Sequence, residues 1–320
     1  MRRVPATAAR WALRGIVLTI IGVLLLRMGA APFVLGLQRL TGTAVLVALA
    51  ATAATTVLSA WRWTLLSRAL GSPLRLRTAV SSYYRSQFLN SVLPGGVTGD
   101  LDRGLRNRAD GERRLQGLRV VTWDRGTGQI VQLAMLAAVL PAFNPRFRLT
   151  ATAAALAVTA LVGAALIVAH RASPPTGGLV RRAAAALRHD LRRIVQRPAT
   201  VLALIGTSVI VALMHASVFV LAAVITGASF DPMRLLPLAL AIQLAMAVPV
   251  GFGGLGPREG MAAVVFTGAG LGAAQGVSAA IAYGALALIA VVPGLVPLAW
   301  PSMRSVGSAL SGRRTKEGAR

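Results

Sequence analysis

Apolar positions in this chain fall in long uninterrupted runs, and the polar positions that part them are mostly arginine. The runs cover about residues 12–35, 42–66, 118–140, 149–169, 199–226 and 277–300. Each is close to the roughly 20 residues a helix needs to cross hydrocarbon, which predicts about six full transmembrane helices. Two further apolar stretches are too short to cross and end in glycine and proline. One runs up to Leu93 and continues as PGGVTGDLDRG; the other, residues 234–248, continues as PVGFGGLGPREG. A segment facing lipid must satisfy its own backbone hydrogen bonds, so such breaks belong beside a cavity. Their tips are Pro94, Gly95, Gly96 and Gly99 in the first, and Pro249, Gly251, Gly253, Gly254 and Gly256 in the second.

The arginines orient the runs, because cytoplasmic loops carry the excess of positive charge. Arg2, Arg3, Arg10 and Arg14 precede the GIVLTIIGVLLL of the first run, and a basic loop read as holding Arg62, Arg68, Arg75 and Arg77 follows the second. Arg106, Arg108, Arg113 and Arg114 follow the first break. Both flanks of that break are then cytoplasmic, which makes it a re-entrant hairpin dipping from inside. The loop GASFDPMR has little charge and is placed outside, so the second break dips from outside. Its flanks lack charge to pin them, and a full crossing with the tail outside stays open. The result is an all-α polytopic membrane protein with two re-entrant helical hairpins in an inverted repeat, its halves at 12–140 and 149–300. A basic cytoplasmic connection, 171–198, separates them, and a basic tail, 301–320, closes the chain. At a shift of 155 positions Pro94 meets Pro249, Gly96 meets Gly251, Gly99 meets Gly254 and Arg103 meets Arg258.

Composition agrees. Hydrophobic residues make up 55% and charged residues 13% of the 320, with a mean hydropathy of +0.68, far from a soluble average. The net charge of +25 sits in short clusters between apolar runs rather than along one soluble face, which argues against nucleic acid as a partner. There is no cysteine, hence no disulfide and no thiolate ligand. The amino terminus imitates a signal peptide, but with so many runs following, an uncleaved first helix is the simpler reading. The stretch LVRRAAAALRHDLRRIV within 171–198 admits two readings, an amphipathic helix on anionic lipid or a solvated topogenic loop.

Charged residues inside apolar segments are candidates for function. Arg103 and Arg258 open the return helices of the two hairpins, where guanidiniums beside helix N-termini suit a phosphate held bidentately. Asp100, Asp124, Arg125 and Glu259 suit ion coupling, gating or structural pairing. Asp124 and Arg125 are neighbours that point to different helix faces and so bridge to other segments. Gln87 and Asn90 share a face and suit either helix-to-helix bonding or substrate contact, while Arg85 guards the cytoplasmic mouth. His215 suits packing or a proton relay. No metal-ligand spacing, nucleophile elbow or nucleotide loop is present, so no cofactor and no enzymatic activity are expected.

Four stretches, WRWTLLSRALG at 61–71, QFLNSVLPGGVTGDLDR at 87–103, DRGTG at 124–128 and VPVGFGGLGPREG at 248–260, together resemble the transmembrane, flippase-like family of lysylphosphatidylglycerol synthetase. The resemblance implies a lipid-flipping role and re-entrant helices about a pseudo-two-fold axis. It also implies a chain without the soluble aminoacyltransferase domain of the larger synthetases, one not expected to make aminoacylated lipid. The expected function is a translocase in the cell membrane that moves a phospholipid or a polyprenyl-linked lipid. The alternatives are an accessory subunit of a separate lipid-modifying enzyme, docked through 171–198, and a membrane-embedded transferase.

Overall fold

The computed structural model describes residues 31–93, 96–106, 111–143, 179–229, 231–246 and 255–298, and these form helices and the turns between them. In chain order the helices are α1 (Ala31–Gln38), α2 (Gly42–Ala69), α3 (Leu76–Val92), α4 (Thr98–Arg106), α5 (Gly111–Phe143), α6 (Leu179–Val195), α7 (Pro198–Ile225), α8 (Pro232–Ala245), α9 (Pro257–Gly268) and α10 (Ala273–Val291). The turn Val292–Gly294 continues the last of them. Among the described residues three helices are long and apolar enough to cross a membrane, Gly42–Ala69, Pro198–Ile225 and Ala273–Leu298. The run at 149–169, most of the run at 12–35, the tail 301–320 and His170 lie outside the described residues, as do Pro94, Gly95, Pro249, Gly251, Gly253 and Gly254.

Helix starts follow local chemistry. The Thr41 hydroxyl accepts from the Ala44 amide at 3.2 Å, and the Asp231 carboxylate accepts from the Met233 amide at 2.9 Å; each satisfies a donor that the first turn leaves free. α7, α8 and α9 each carry proline in the first turn, where its missing N–H costs nothing. α9 begins after Gly256, whose φ of +97° suits glycine, and Glu259 reaches back to the Gly256 amide at 2.6 Å.

Two apolar clusters hold the bundle. One packs Phe219, Leu240, Ile242, Phe266 and Leu286 between α7, α8, α9 and α10. The other packs Trp63, Leu66, Val120, Ile194 and Leu204 between α2, α5, α6 and α7. Large apolar side chains such as Leu46, Leu202 and Val264 point outward on different helices, as lipid contact requires. Within the bundle small residues allow close approach: a Cβ on Gly276 would collide with the Ala262 carbonyl, and one on Gly99 with the Ser86 backbone. The Gly99 approach locks α3 against α4.

The helices pair in a regular scheme. α2, α3, α4 and α5 correspond in order to α7, α8, α9 and α10; the starts of α2 and α3 lie within one residue of the 155-position shift noted in the sequence, and those of α4 and α5 do not. Exchange of the two sets leaves the contacts unchanged in kind. α2 touches α7; α3 pairs with α4 and α8 with α9; α4 packs on α5 and α9 on α10; α5 packs on α7 and α8 as α10 packs on α2 and α3. The basic connection is helical where described. α6 spans Leu179–Val195 and is anchored to α5 by Asp190, which accepts from Arg119 and, at 3.3 Å, from Trp123 Nε1. A solvated loop is therefore not what this stretch forms.

Candidate functional site

The site begins with a carboxylate that burial alone would forbid. Asp124, in the middle of α5, is 0% exposed, and an unpaired charge there would cost several kcal/mol. Each of its oxygens is bonded. Oδ1 accepts from Arg62 Nε at 2.8 Å; Oδ2 accepts from Arg103 Nη1 at 3.0 Å, from Arg103 Nη2 at 3.1 Å and from the Tyr83 hydroxyl. Arg62 also donates to Ser208 Oγ at 2.9 Å, which ties α2 and α5 to α7. The Arg103 guanidinium lies 4.0 Å from the Tyr83 ring centre and 4.7 Å from that of Trp63, so aromatic faces replace part of its hydration.

Asp100, in the first turn of α4, extends the network. Arg103 Nη2 donates to its Oδ1 at 3.1 Å, one helical turn away, and Asn90 Nδ2 donates to its Oδ2 at 2.9 Å. Asn90 Oδ1 in turn accepts from the Gly99 amide at 2.8 Å, so one amide side chain bridges both arms of the hairpin. Arg125 completes the series with Nη2 at 2.6 Å from Asp100 Oδ2 and 3.0 Å from the Gly96 carbonyl. Among the described residues three guanidiniums, those of Arg62, Arg103 and Arg125, thus face two carboxylates, and one positive charge is left over. Arg125 is the open end of the chain: its side chain is 42% exposed, against 1% for Arg103.

That open end faces a cavity of about 360 Å³ where both halves meet. Six helices wall it, each with a stripe at helical spacing. α3 contributes Gln87, Asn90 and Ser91, and α5 contributes Arg125, Gln129 and Gln132. α2 adds Thr52, α7 adds His215 and Val218, α8 adds Gln243 and Met246, and α10 adds Tyr283, Ala287 and Val291. Among the described residues the first half supplies a mostly polar wall and the second a mixed one, with His215, Gln243 and Tyr283 among apolar side chains.

Several sequence expectations are redirected. Arg103 and Arg258 do not line this cavity; each is folded onto carboxylates and is 2% exposed. Arg258 donates to Glu259 Oε1 from Nε at 2.9 Å and from Nη2 at 2.5 Å, a neutral pair beside the α9 cap. The absence of Cβ on Gly284 leaves the space that guanidinium fills. Arg85 is held by Asp102 through two bonds, at 2.7 Å and 3.1 Å, rather than standing free at a mouth. Arg62 is not part of a basic loop: it lies inside α2, 6% exposed, because Asp124 draws it inward. Gln87 and Asn90 do face the cavity, and Gln87 Oε1 also accepts from the Thr56 hydroxyl at 2.9 Å. Asp124 and Arg125 do bridge to other segments. Gln129, Gln132, Gln243 and Thr52 went unread in the sequence; the spacing of Arg125, Gln129 and Gln132 at i, i+4 and i+7 was the available signal for α5. Among the described residues no group of three or more His, Asp or Glu side chains is placed to hold a metal.

The family model of the lysylphosphatidylglycerol synthase TM region matches residues 11–294. No curated protein matches the chain.

Proposed function

We propose a function from one premise: the chain belongs to the lysylphosphatidylglycerol synthase TM family, a membrane family related to lipid modification. The function is translocation of a polar or anionic lipid, or a lipid-linked glycan, between the leaflets of the cell membrane. One observation carries it, namely a polar cavity among apolar helices whose wall bears Arg125, the open end of a buried network with one positive charge to spare. An anionic headgroup supplies the missing charge there, while its acyl chains stay in the bilayer outside. The exchange symmetry of the helix contacts supports two hairpins, α3–α4 and α8–α9, that dip from opposite leaflets as an inverted repeat.

In this reading Asp100 holds Arg125 when the cavity is empty and yields it when a phosphate arrives. The protein makes and breaks no covalent bond, and movement is downhill or coupled to ions through Asp100 and its neighbours. Purified protein in liposomes tests this: dithionite bleaching of labelled lipid is expected to reach the inner leaflet faster than in protein-free vesicles. Bleaching at the protein-free rate for anionic, zwitterionic and glycosylated lipids alike would refute it.

A further inference from the structure

We infer that a groove on the outer face of the bundle seats one resident anionic phospholipid, its phosphate at Arg77 and an acyl chain along α3. The groove, of about 850 Å³, lies between α2, α3 and the end of the last span, and it shares no lining residue with the central cavity. A break in that span creates it. α10 ends at Val291, and Pro293, which has no N–H, sits in a single tight turn before the chain continues to Leu298. Gly294 brings this turn against α3: a Cβ there would meet the Tyr84 carbonyl and the Phe88 side chain. From that contact back to the start of α3, Leu76, Val80 and Tyr84 form one wall, and Pro293, Val296 and Pro297 face them, with Val57 of α2 beside both. The three α3 residues recur at i, i+4 and i+8 and so line one face, over a length of about 12 Å.

Charge and apolar surface together name the occupant. None of the residues lining the groove is acidic, and its one formal charge is Arg77. Arg77 is exposed and makes no ion pair or hydrogen bond among the described residues. It stands in the first turn of α3, the end that the arginine clusters place at the cytoplasmic surface, and its stem can lie along apolar surface while its head meets a phosphate. Further in, Val57, Leu76 and Val296 are exposed and have no protein cover. A soluble phosphate would leave that apolar length bare, and a fatty chain alone would leave the guanidinium unanswered. A phospholipid of net negative charge answers both, as basic pockets between spans on the cytoplasmic side do for acidic headgroups. Seated there, it braces α3 from outside: Tyr84 borders the groove, while its neighbour Tyr83 donates to Asp124 within the bundle. Such a lipid is held rather than carried, and neither outcome of the bleaching experiment bears on it.

Photolabelling of the full chain in nanodiscs tests the assignment. The probes are phosphatidylglycerol and phosphatidylcholine, each with a diazirine in one acyl chain, and the labelled peptides are read by mass spectrometry. With phosphatidylglycerol the wild type is expected to carry adducts in 76–84 and 293–298 at about fivefold the phosphatidylcholine level, what one arginine beside an anionic lipid is worth. Arg77→Gln, at an exposed position, is expected to erase that preference and leave labelling by phosphatidylcholine as it was. Ser81→Trp, also at an exposed position, fills the groove and is expected to remove the adducts of both lipids from these two peptides while those elsewhere on the chain persist. Equal labelling by the two probes, a preference that survives Arg77→Gln, or adducts that survive Ser81→Trp would each overturn it. A wild type without adducts in either peptide would overturn it as well, by showing that protein rather than lipid fills the groove.

Discussion

Arg125 and Asp100 meet at 2.6 Å on the rim of the central cavity, where the buried charge network reaches open space. The two residues sit on different helices, α5 and α4, and the pair closes the first hairpin against the long helix behind it. The carboxylate side is 11% exposed and the guanidinium side 42%, so the bond joins a largely enclosed anion to a cation that reaches open space. This asymmetry separates residues that hold the fold from residues that meet a ligand.

Asp124→Asn leaves Arg62 and Arg103 without their shared counter-ion. Breaking a buried pair from one side costs about 3–5 kcal/mol, and here two arginines lose their partner. Asp102→Asn removes the partner of Arg85 where both side chains are partly solvated, and about 1 kcal/mol or less is expected. Thermal unfolding in detergent should therefore show a large loss for Asp124→Asn and a small one for Asp102→Asn. Similar losses in the two variants would remove Asp124 from the centre of the network.

Arg103→Lys keeps the charge and loses the fork that spans Asp124 and Asp100. Because Arg103 is closed off from the cavity, the variant is expected to unfold earlier, by about 1–3 kcal/mol, with the ranking of lipids by bleaching rate unchanged. A changed ranking in a variant of normal stability would place Arg103 against the headgroup after all.

Gly99→Ala puts a methyl group into the Ser86 backbone. The backbones of α3 and α4 must part, at about 1–3 kcal/mol as for other overpacked contacts, and the Gly99 amide loses its bond to Asn90. Hydrogen exchange should rise in peptides covering 86–100 and stay unchanged in α8. Unaltered exchange in the hairpin would show that the contact is slack.

Asp190→Asn weakens the clasp of α6 on Arg119 and Trp123. Faster exchange across 185–195 is expected, together with a shifted Trp123 emission in a variant stripped of the other tryptophans. If α6 serves as a docking surface for another protein, capture of that protein should fall in the same variant. Exchange that does not move would assign the anchoring of α6 to its apolar contacts, such as Ile194.

Much of the candidate site was visible before any fold was known, and the limits are physical ones. Asp100, Arg103, Asp124 and Arg125 stood out because charge inside an apolar run is expensive. Which guanidinium would meet a ligand did not follow, since partner choice depends on helices 20 to 150 positions apart in the chain. Arg62 was misplaced for that reason: beside a basic loop it resembled one more topogenic arginine, and only its contact with Asp124, 62 positions away, draws it into α2. Gln129, Gln132 and Gln243 went unnoticed, unlike Gln87, because a lone amide in an apolar run has no sign to attract attention. Their shared destination appears only when α3, α5 and α8 converge.

The chain's own order of residues therefore determined that it lives in a membrane, where its helices break, and that its second half echoes its first. Run length, glycine and proline placement, and arginine clusters are local properties, legible one segment at a time. Tertiary structure alone decided which charges cancel and which one stays in excess, and that Arg125 rather than Arg103 or Arg258 borders the cavity. Charge balance and cavity shape are sums over segments distant in sequence, and no window along the chain contains them.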